Sequence, residues 1–216
     1  MAYADQQMTT PFGDATETNI ATILRLLSHV PGVIVHDDED ATWVESSDTG
    51  QFNDLATPRF AEDSVDSRIV HILAHYAIRK VACSWWLGPG TKPCDLEQRL
   101  SKFGFKRVRK LLGMSLRLDA LCYSSPQQKT HLVDNPDFSI FDRSPHPTFG
   151  EIKSAAERTR LKTRAILAYA VPQQFKHCVL FDSKMIPVAA ASLCFDGAVV
   201  GIYDFGVSDA ARGMGF

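Results

Sequence analysis

The residues that most directly suggest chemistry are the last five, Arg212-Gly213-Met214-Gly215-Phe216. Glycines let backbone N–H groups approach an anion closely, and a helix after such a turn presents its positive end to phosphate. The bland alternative, a glycine tail with no ligand, carries similar weight on composition alone. A second candidate is the pair His71 and His75, four residues apart on an expected helix, the spacing at which two imidazoles can meet one zinc ion. Ile72 stands where the glutamate of His-Glu-x-x-His belongs, and the sequence suggests no third ligand, so a solvated polar face is favoured. Cys83, Cys94, Cys122, Cys178 and Cys194 form no Cys-x-x-Cys pair and are expected to be reduced and mostly buried. No Ser-His-Asp or Cys-His arrangement can be argued from spacing.

The elements that must position these groups read as a mixed α/β pattern. Residues 1–14 are polar and expected to be a loose tail. A helix from Thr18 carries Ile20, Ile23, Leu24 and Leu27 at helical spacing and stops at Pro31-Gly32. Strands are expected at Val33–Val35, Thr42–Glu45 and about Phe52–Thr57. The helix Asp63–Lys80 sets Val65, Ile69, Ile72, Leu73 and Tyr76 on one face and Arg68, His71, His75 and Arg79 on the other. A short strand, Ala82–Leu87, ends at Gly88-Pro89-Gly90, and the helix Asp95–Phe103 ends at Gly104. An extended stretch, Arg107–Leu121, closes this half, and Ser124–Gln128 reads as a linker. The second half begins with a strand near His131–Val133, then the helix Gly150–Ala170. Strands follow at His177–Phe181, Pro187–Phe195 and Ala198–Val207, the last two joined by Asp196-Gly197, a hairpin signal. Phe52–Pro58 and Ile202–Ser208 share an apolar outline around Asp54 and Asp204, a weak internal repeat.

Composition narrows the classes. The 216 residues are 45% hydrophobic and 22% charged, enough for a substantial core. The 23 Lys and Arg against 25 Asp and Glu leave a net charge of −2, which argues against a dedicated nucleic-acid binder. The longest apolar run, Met185–Phe195, is shorter than the roughly 20 residues of a membrane span. No signal peptide is visible at the start, so a cytoplasmic location is expected. Lys102, Lys106, Arg107, Arg109 and Lys110 read as solvated surface. Trp85 and Trp86 alternate across a strand, so one is expected in the core and the other nearer a surface or the domain interface.

The run Gly201–Phe216 resembles the central strand and pyrophosphate loop of the GNAT superfamily of N-acetyltransferases. That loop reads Gln/Arg-x-x-Gly-x-Gly/Ala; Arg212 and Gly215 take its first and fourth positions and Phe216 its fifth. The sixth position lies past the sequence, so the second half is expected to be cut short at the loop. Ser84-Trp85-Trp86-Leu87-Gly88-Pro89, followed by Pro93, Asp95-Leu96, Leu100 and Gly104-Phe105, is similar to the degenerate first halves of tandem members.

The resemblance implies an α/β mixed sheet flanked by helices in two related halves, residues 15–125 and 129–216. It implies transfer of an acetyl group from acetyl-CoA, as cosubstrate and without a metal, to an amine acceptor. Phe205, Gly206 and Val207 would meet the pantetheine arm along an unpaired strand edge. Arg212, Gly213, Met214, Gly215 and Phe216 would hold the pyrophosphate. The first half has no glycine loop after its own strand, and Glu62, Asp63 and Asp66 would repel phosphate, so no cofactor is expected there. Asp204 is a candidate for the group that takes the amine proton. Asp54 holds the matching place in the half without a loop, which favours a structural role for Asp204. The tyrosine that commonly protonates the leaving thiolate would lie beyond Phe216. Arg158, Arg160, Lys162 and Arg164 line the helix that would border the acceptor cleft and could attract an acidic acceptor. The competing expectation is a non-catalytic ligand- or protein-binding module of the same fold. Neither reading involves nucleic acid or membrane.

Overall fold

The computed structural model describes residues 11–46, 52–120, 129–135, 137, 140, 155–197 and 199–214. They form four α-helices and two four-stranded sheets, a mixed α/β architecture. The chain divides into two compact units, one taking in Met1–Ser28 and Gly32–Ser115, the other His29–Pro31 and Leu116–Phe216. The expected linker Ser124–Gln128 lies outside the described residues.

In the first unit, helix α1 spans Pro11–Leu26. It begins a turn or more before the expected start, because Pro11 can open a helix where no N–H partner is needed. The hairpin β1 (Val33–Asp37) and β2 (Thr42–Ser46) is antiparallel, with His36 opposite Trp43 and Ile34 opposite Glu45. β3 (Asp54–Ala56) pairs antiparallel with β2. Helix α2 (Val65–Arg79) then crosses over to β4 (Ser84–Trp85), which lies parallel to β3, as a helical crossover permits. α2 ends on Lys80 at φ 55°, whose N–H reaches back to the last turn as a left-handed cap. α3 (Leu96–Lys102) follows.

Every residue of β2 is buried, so both faces of this sheet are covered. Trp43, Leu55, Ile69, Ile72, Tyr76 and Leu96 form the main core. Trp43 meets Tyr76 edge-to-face, which sets α2 on the Trp43 face. Arg25 of α1 donates to Thr42 Oγ1, which sets α1 on the opposite face. Trp85 packs into the core against Phe60 and Phe105. Trp86 is half-buried as well and donates its backbone N–H to Leu55, so the expected division into one core and one surface tryptophan is softer than the alternation suggests. The stretch after Phe105 pairs with no strand among the described residues. Val108, Leu112 and Met114 are exposed there, because an extended chain without a ladder partner buries little.

In the second unit, β5 (His131–Asp134), β6 (Phe175–Phe181), β7 (Pro187–Asp196) and β8 (Val199–Val207) form a fully antiparallel sheet in that order. Helix α4 (Ala155–Ala170) packs on β6, and Leu161, Val179, Phe181 and Ala190 form a core beneath it. Gly197 at φ 55° makes the tight turn between β7 and β8 that Asp196-Gly197 predicts. No helix among the described residues is long and apolar enough to cross a membrane.

Candidate functional site

β8 is the outermost strand of its sheet among the described residues, so one of its two edges has no strand against it. Its register against β7 shifts: Ala190 faces Gly206 while Ser192 faces Tyr203, so three steps on β8 answer two on β7. This β-bulge centres on Asp204, at φ 49°, a left-handed conformation that Asp tolerates better than most residues. Immediately past it Phe205 is exposed and Gly206 buried. Ser208 N–H still reaches Val188 O at 2.9 Å, and a single 3-10 turn, Asp209–Ala211, delivers the chain to Arg212.

The sequence-predicted site residues thus lie along one continuous path. Phe205, Gly206 and Val207 form the end of β8, and Arg212, Gly213 and Met214 the exposed turn beyond it. Gly213 has φ 71°, and a side chain there would meet no atom within 4 Å, so the turn faces open space. Arg212 pairs with Asp209 at 2.8 Å, both of them well exposed. Gly215 and Phe216 lie outside the described residues.

The carboxylate of Asp204 turns the other way, into the sheet. It pairs with Arg164 of α4 and accepts a hydrogen bond from Ser192 Oγ at 3.2 Å. Ser192 Oγ lies 3.0 Å from His177 Nδ1, the two residues facing each other across β6 and β7. Ser192 and His177 are buried, at 0% and 2% exposure. The order is His–Ser–Asp with serine in the middle, so aspartate does not orient histidine and no hydrolase triad is formed. The network joins three strands to α4, which is the structural role favoured for Asp204. It also takes Arg164 out of the basic row expected to face an acceptor. Lys162 is exposed, and the side chains of Arg158 and Arg160 lie outside the described residues.

In the first unit, the structure gathers residues that sequence reasoning left apart. His36, Trp43 and Glu45 alternate on one face of the β1–β2 hairpin, and α2 lays His75 and Arg79 over them. Glu45 is buried, at 1% exposure. Its Oε1 lies 2.6 Å from His36 Nε2 and 3.2 Å from His75 Nδ1, and its Oε2 lies 2.5 Å from Arg79 Nε. Burial alone would raise its pKa; the hydrogen bond from His36 and the charge of Arg79 outweigh burial and hold the carboxyl below its ordinary 4.5. The solvated-face expectation fits His71, which is exposed, but not His75. Two turns before His75 on α2, Arg68 pairs with Asp38 and Asp40 of the hairpin turn. The available signal was the hairpin itself: once its turn is set at Asp37–Ala41, alternation puts His36 and Glu45 on one face.

The glycines of Gly88-Pro89-Gly90, read as a strand stop, make room for a carboxylate. Glu17 of α1 is buried and its Oε1 accepts from Gly90 N–H at 2.7 Å, while a side chain at Gly88 would lie 2.1 Å from the same oxygen. Arg59, which follows β3, is drawn to Glu17 at 3.5 Å and Asp14 at 3.7 Å, so carboxylates already surround the positive charge beside that strand. Of the cysteines, Cys178 and Cys194 are buried as expected, Cys83 is partly so and Cys94 is exposed; Cys122 lies outside the described residues. Burial pushes the Cys178 thiol up to about 11 and Cys194 to about 12, leaving neither a ready nucleophile.

No protein-family model and no curated protein matches the sequence. Among solved structures, the chain is similar to one described as the crystal structure of a functionally unknown conserved protein from Staphylococcus epidermidis ATCC 12228. The two are 12% identical with a TM-score of 0.51, over 83% of this chain and 73% of that one. At that identity the likeness speaks for the fold alone.

Proposed function

We propose that the second unit is the acetyl-CoA-binding part of an N-acetyltransferase of the kind its terminal strand and loop resemble, and that the first unit is a related body without a cofactor. The observation that carries this reading is the path from bulge to turn: β8, with an open edge, is bulged at Asp204 and runs through one short turn into Arg212-Gly213. An open edge leaves backbone groups near Phe205–Val207 free to hydrogen-bond an extended pantetheine arm as an added strand would. A pyrophosphate at the exposed turn Arg212–Met214 would compete for the N–H groups of Arg212 and Met214, which make only long bonds of 3.4 and 3.3 Å to Asp209 O and Ala211 O. The order of elements supports the same reading, since each unit has a meander of antiparallel strands ending in the strand of the internal repeat.

Acetyl-CoA would supply its acetyl group as a thioester: the amine nitrogen bonds to the carbonyl carbon, the C–S bond breaks, the amine loses a proton and the thiolate gains one. The chain's own contribution is positional and electrostatic. Backbone N–H groups at the bulge can polarise the thioester oxygen as negative charge develops on it. Asp204 is an unsuitable base, because Arg164 and Ser192 already hold its carboxylate. That engagement favours, as a second reading, a module that binds the same ligand without transferring acetyl.

Equilibrium dialysis of the full chain against acetyl-CoA, with free CoA as competitor, tests the proposal. One molecule bound per chain and displaced by CoA is expected. Two per chain would contradict the cofactor-free first unit, and no binding at millimolar ligand would overturn the assignment. Release of free thiol on adding primary amines separates transferase from binding module.

A further inference from the structure

The cluster around Glu45 is chemically distinct from the β8 path and independent of it. Three donor atoms converge there from three elements: His36 Nε2 from β1, Glu45 Oε1 from β2 and His75 Nδ1 from α2, all within 4.8 Å of one another. Among the described residues this is the one place where three such ligand atoms gather so closely. Two imidazoles and a carboxylate meet this closely either through ring N–H groups that donate to Glu45 or through lone pairs turned on a single cation.

We propose that His36, Glu45 and His75 bind one divalent transition-metal ion of the zinc class. Two imidazoles and a carboxylate are a donor set that suits zinc and its neighbours, whereas magnesium and calcium take oxygen ligands. With metal–ligand bonds of about 2.0–2.1 Å, tetrahedral donors stand about 3.3 Å apart. The His75–Glu45 separation of 3.2 Å already meets that, and the His36–Glu45 separation of 2.6 Å has to open by about 0.7 Å, a rotation of the His36 ring or the carboxylate.

The surroundings fix the ligands. The His36 ring stacks flat on Trp43, at 3.7 Å and 7°, and Trp43 Nε1 donates to Asp38 at 2.9 Å. The His75 ring meets both Trp43 and His71 edge-on. Arg79 holds Glu45 Oε2 and so leaves Oε1 to the imidazoles, the division of labour expected of an outer partner that orients a ligating carboxylate. The side chains of His36 and His75 are 26% and 37% exposed, so the fourth position opens to water. Three protein ligands with an open fourth place is the arrangement of reactive rather than purely structural zinc sites.

The test uses the full chain, with Zn2+ as the probe and Mg2+ as the comparison cation. Dialysis should give one Zn2+ per chain that excess Mg2+ does not displace. His36→Ala and His75→Ala should each weaken zinc binding by about a hundredfold, and His131→Ala, on exposed β5, should not weaken it. Because a variant can lose its fold, the wild-type histidine resonances provide a second readout: Zn2+ should shift those of His36 and His75 and leave that of His131 in place. No zinc binding by the wild type, equal losses in His75→Ala and His131→Ala, or unmoved His36 and His75 resonances would each overturn the proposal.

Discussion

β3 and β8 hold the two segments that share an apolar outline around an aspartate, yet their neighbours differ. β3 is three residues long, buried throughout, and has a strand on each side: β2 antiparallel and β4 parallel. Its backbone is consumed by those neighbours; Leu55 O, for example, accepts from Trp86 N–H at 2.8 Å. β8 is nine residues long, mostly half-buried or exposed, and has β7 alone beside it among the described residues. A strand used on both edges can serve a core, whereas a strand with an open edge can serve a ligand. The residues after each strand point the same way: acidic Glu62 and Asp63 after β3, Arg212-Gly213 after β8.

The largest effect that would break this contrast is at Gly213. A carboxylate placed about 4 Å from a phosphate repels it by about 4 kcal/mol at an effective dielectric near 20, roughly a thousandfold in affinity. Gly213→Asp should therefore abolish acetyl-CoA binding in dialysis, while Glu62→Ala leaves it unchanged. Gly213→Asn keeps the bulk without the charge and should fall between the two. If Gly213→Asp binds as well as wild type, the turn after β8 is not a phosphate site.

Stability should divide the strands next. Leu55 on β3 is fully buried among Trp43, Ile69 and Ile72, so Leu55→Ala should cost about 2–5 kcal/mol in urea unfolding. Ile202 on β8 is 65% exposed, and Ile202→Ala should change stability by no more than about 0.5 kcal/mol. A large loss at Ile202 would mean that β8 is covered and its face unavailable.

Acid should weaken the first unit through Glu45. A carboxyl whose folded pKa lies below its unfolded value binds fewer protons when folded. It therefore adds stability above about pH 4.5, and that stability is lost as pH falls through the folded value. Asp37 and Asp38 act in the same direction, held down by Arg25 and by Trp43 and Arg68 against the opposing effect of burial. His36, His75 and Arg79 face Glu45, and Glu45→Gln should make the slope of stability against pH shallower in that range. An unchanged slope would mean that folding does not lower the Glu45 pKa.

The smallest effect is in thiol reactivity. Cys94, exposed after β4, should react first with a maleimide, and Cys178 and Cys194 only on unfolding. Early reaction at Cys194 would mean that the β7–β8 pairing opens readily.

The strands and helices were legible because their periodicity is local: alternation in β1 and β2, a 3.6-residue repeat in α2, and Asp196-Gly197 at the hairpin between β7 and β8. The strand holding Phe205–Val207 was legible for the same reason, whereas Arg212–Met214 was singled out by its glycines and by the resemblance alone. The polar constellations were not legible. His36, Glu45 and His75 come from three elements, and a helix face that reads as solvated is partly covered once a hairpin lies beneath it. The link between Asp204, Ser192 and Arg164 likewise depends on which face of β8 the bulge turns inward, and a one-residue register shift leaves no mark in the periodicity. Glu17 beneath Gly90, distant in sequence, falls in the same class.

The most direct test is residue-resolved hydrogen exchange of the full chain with and without saturating acetyl-CoA. A ligand on the open edge of β8 predicts slowed exchange across Phe205–Val207 and Arg212–Met214, with Asp54–Thr57 unchanged. Equal slowing in both regions, or slowing at Asp54–Thr57 alone, would contradict the assignment of the ligand to that edge.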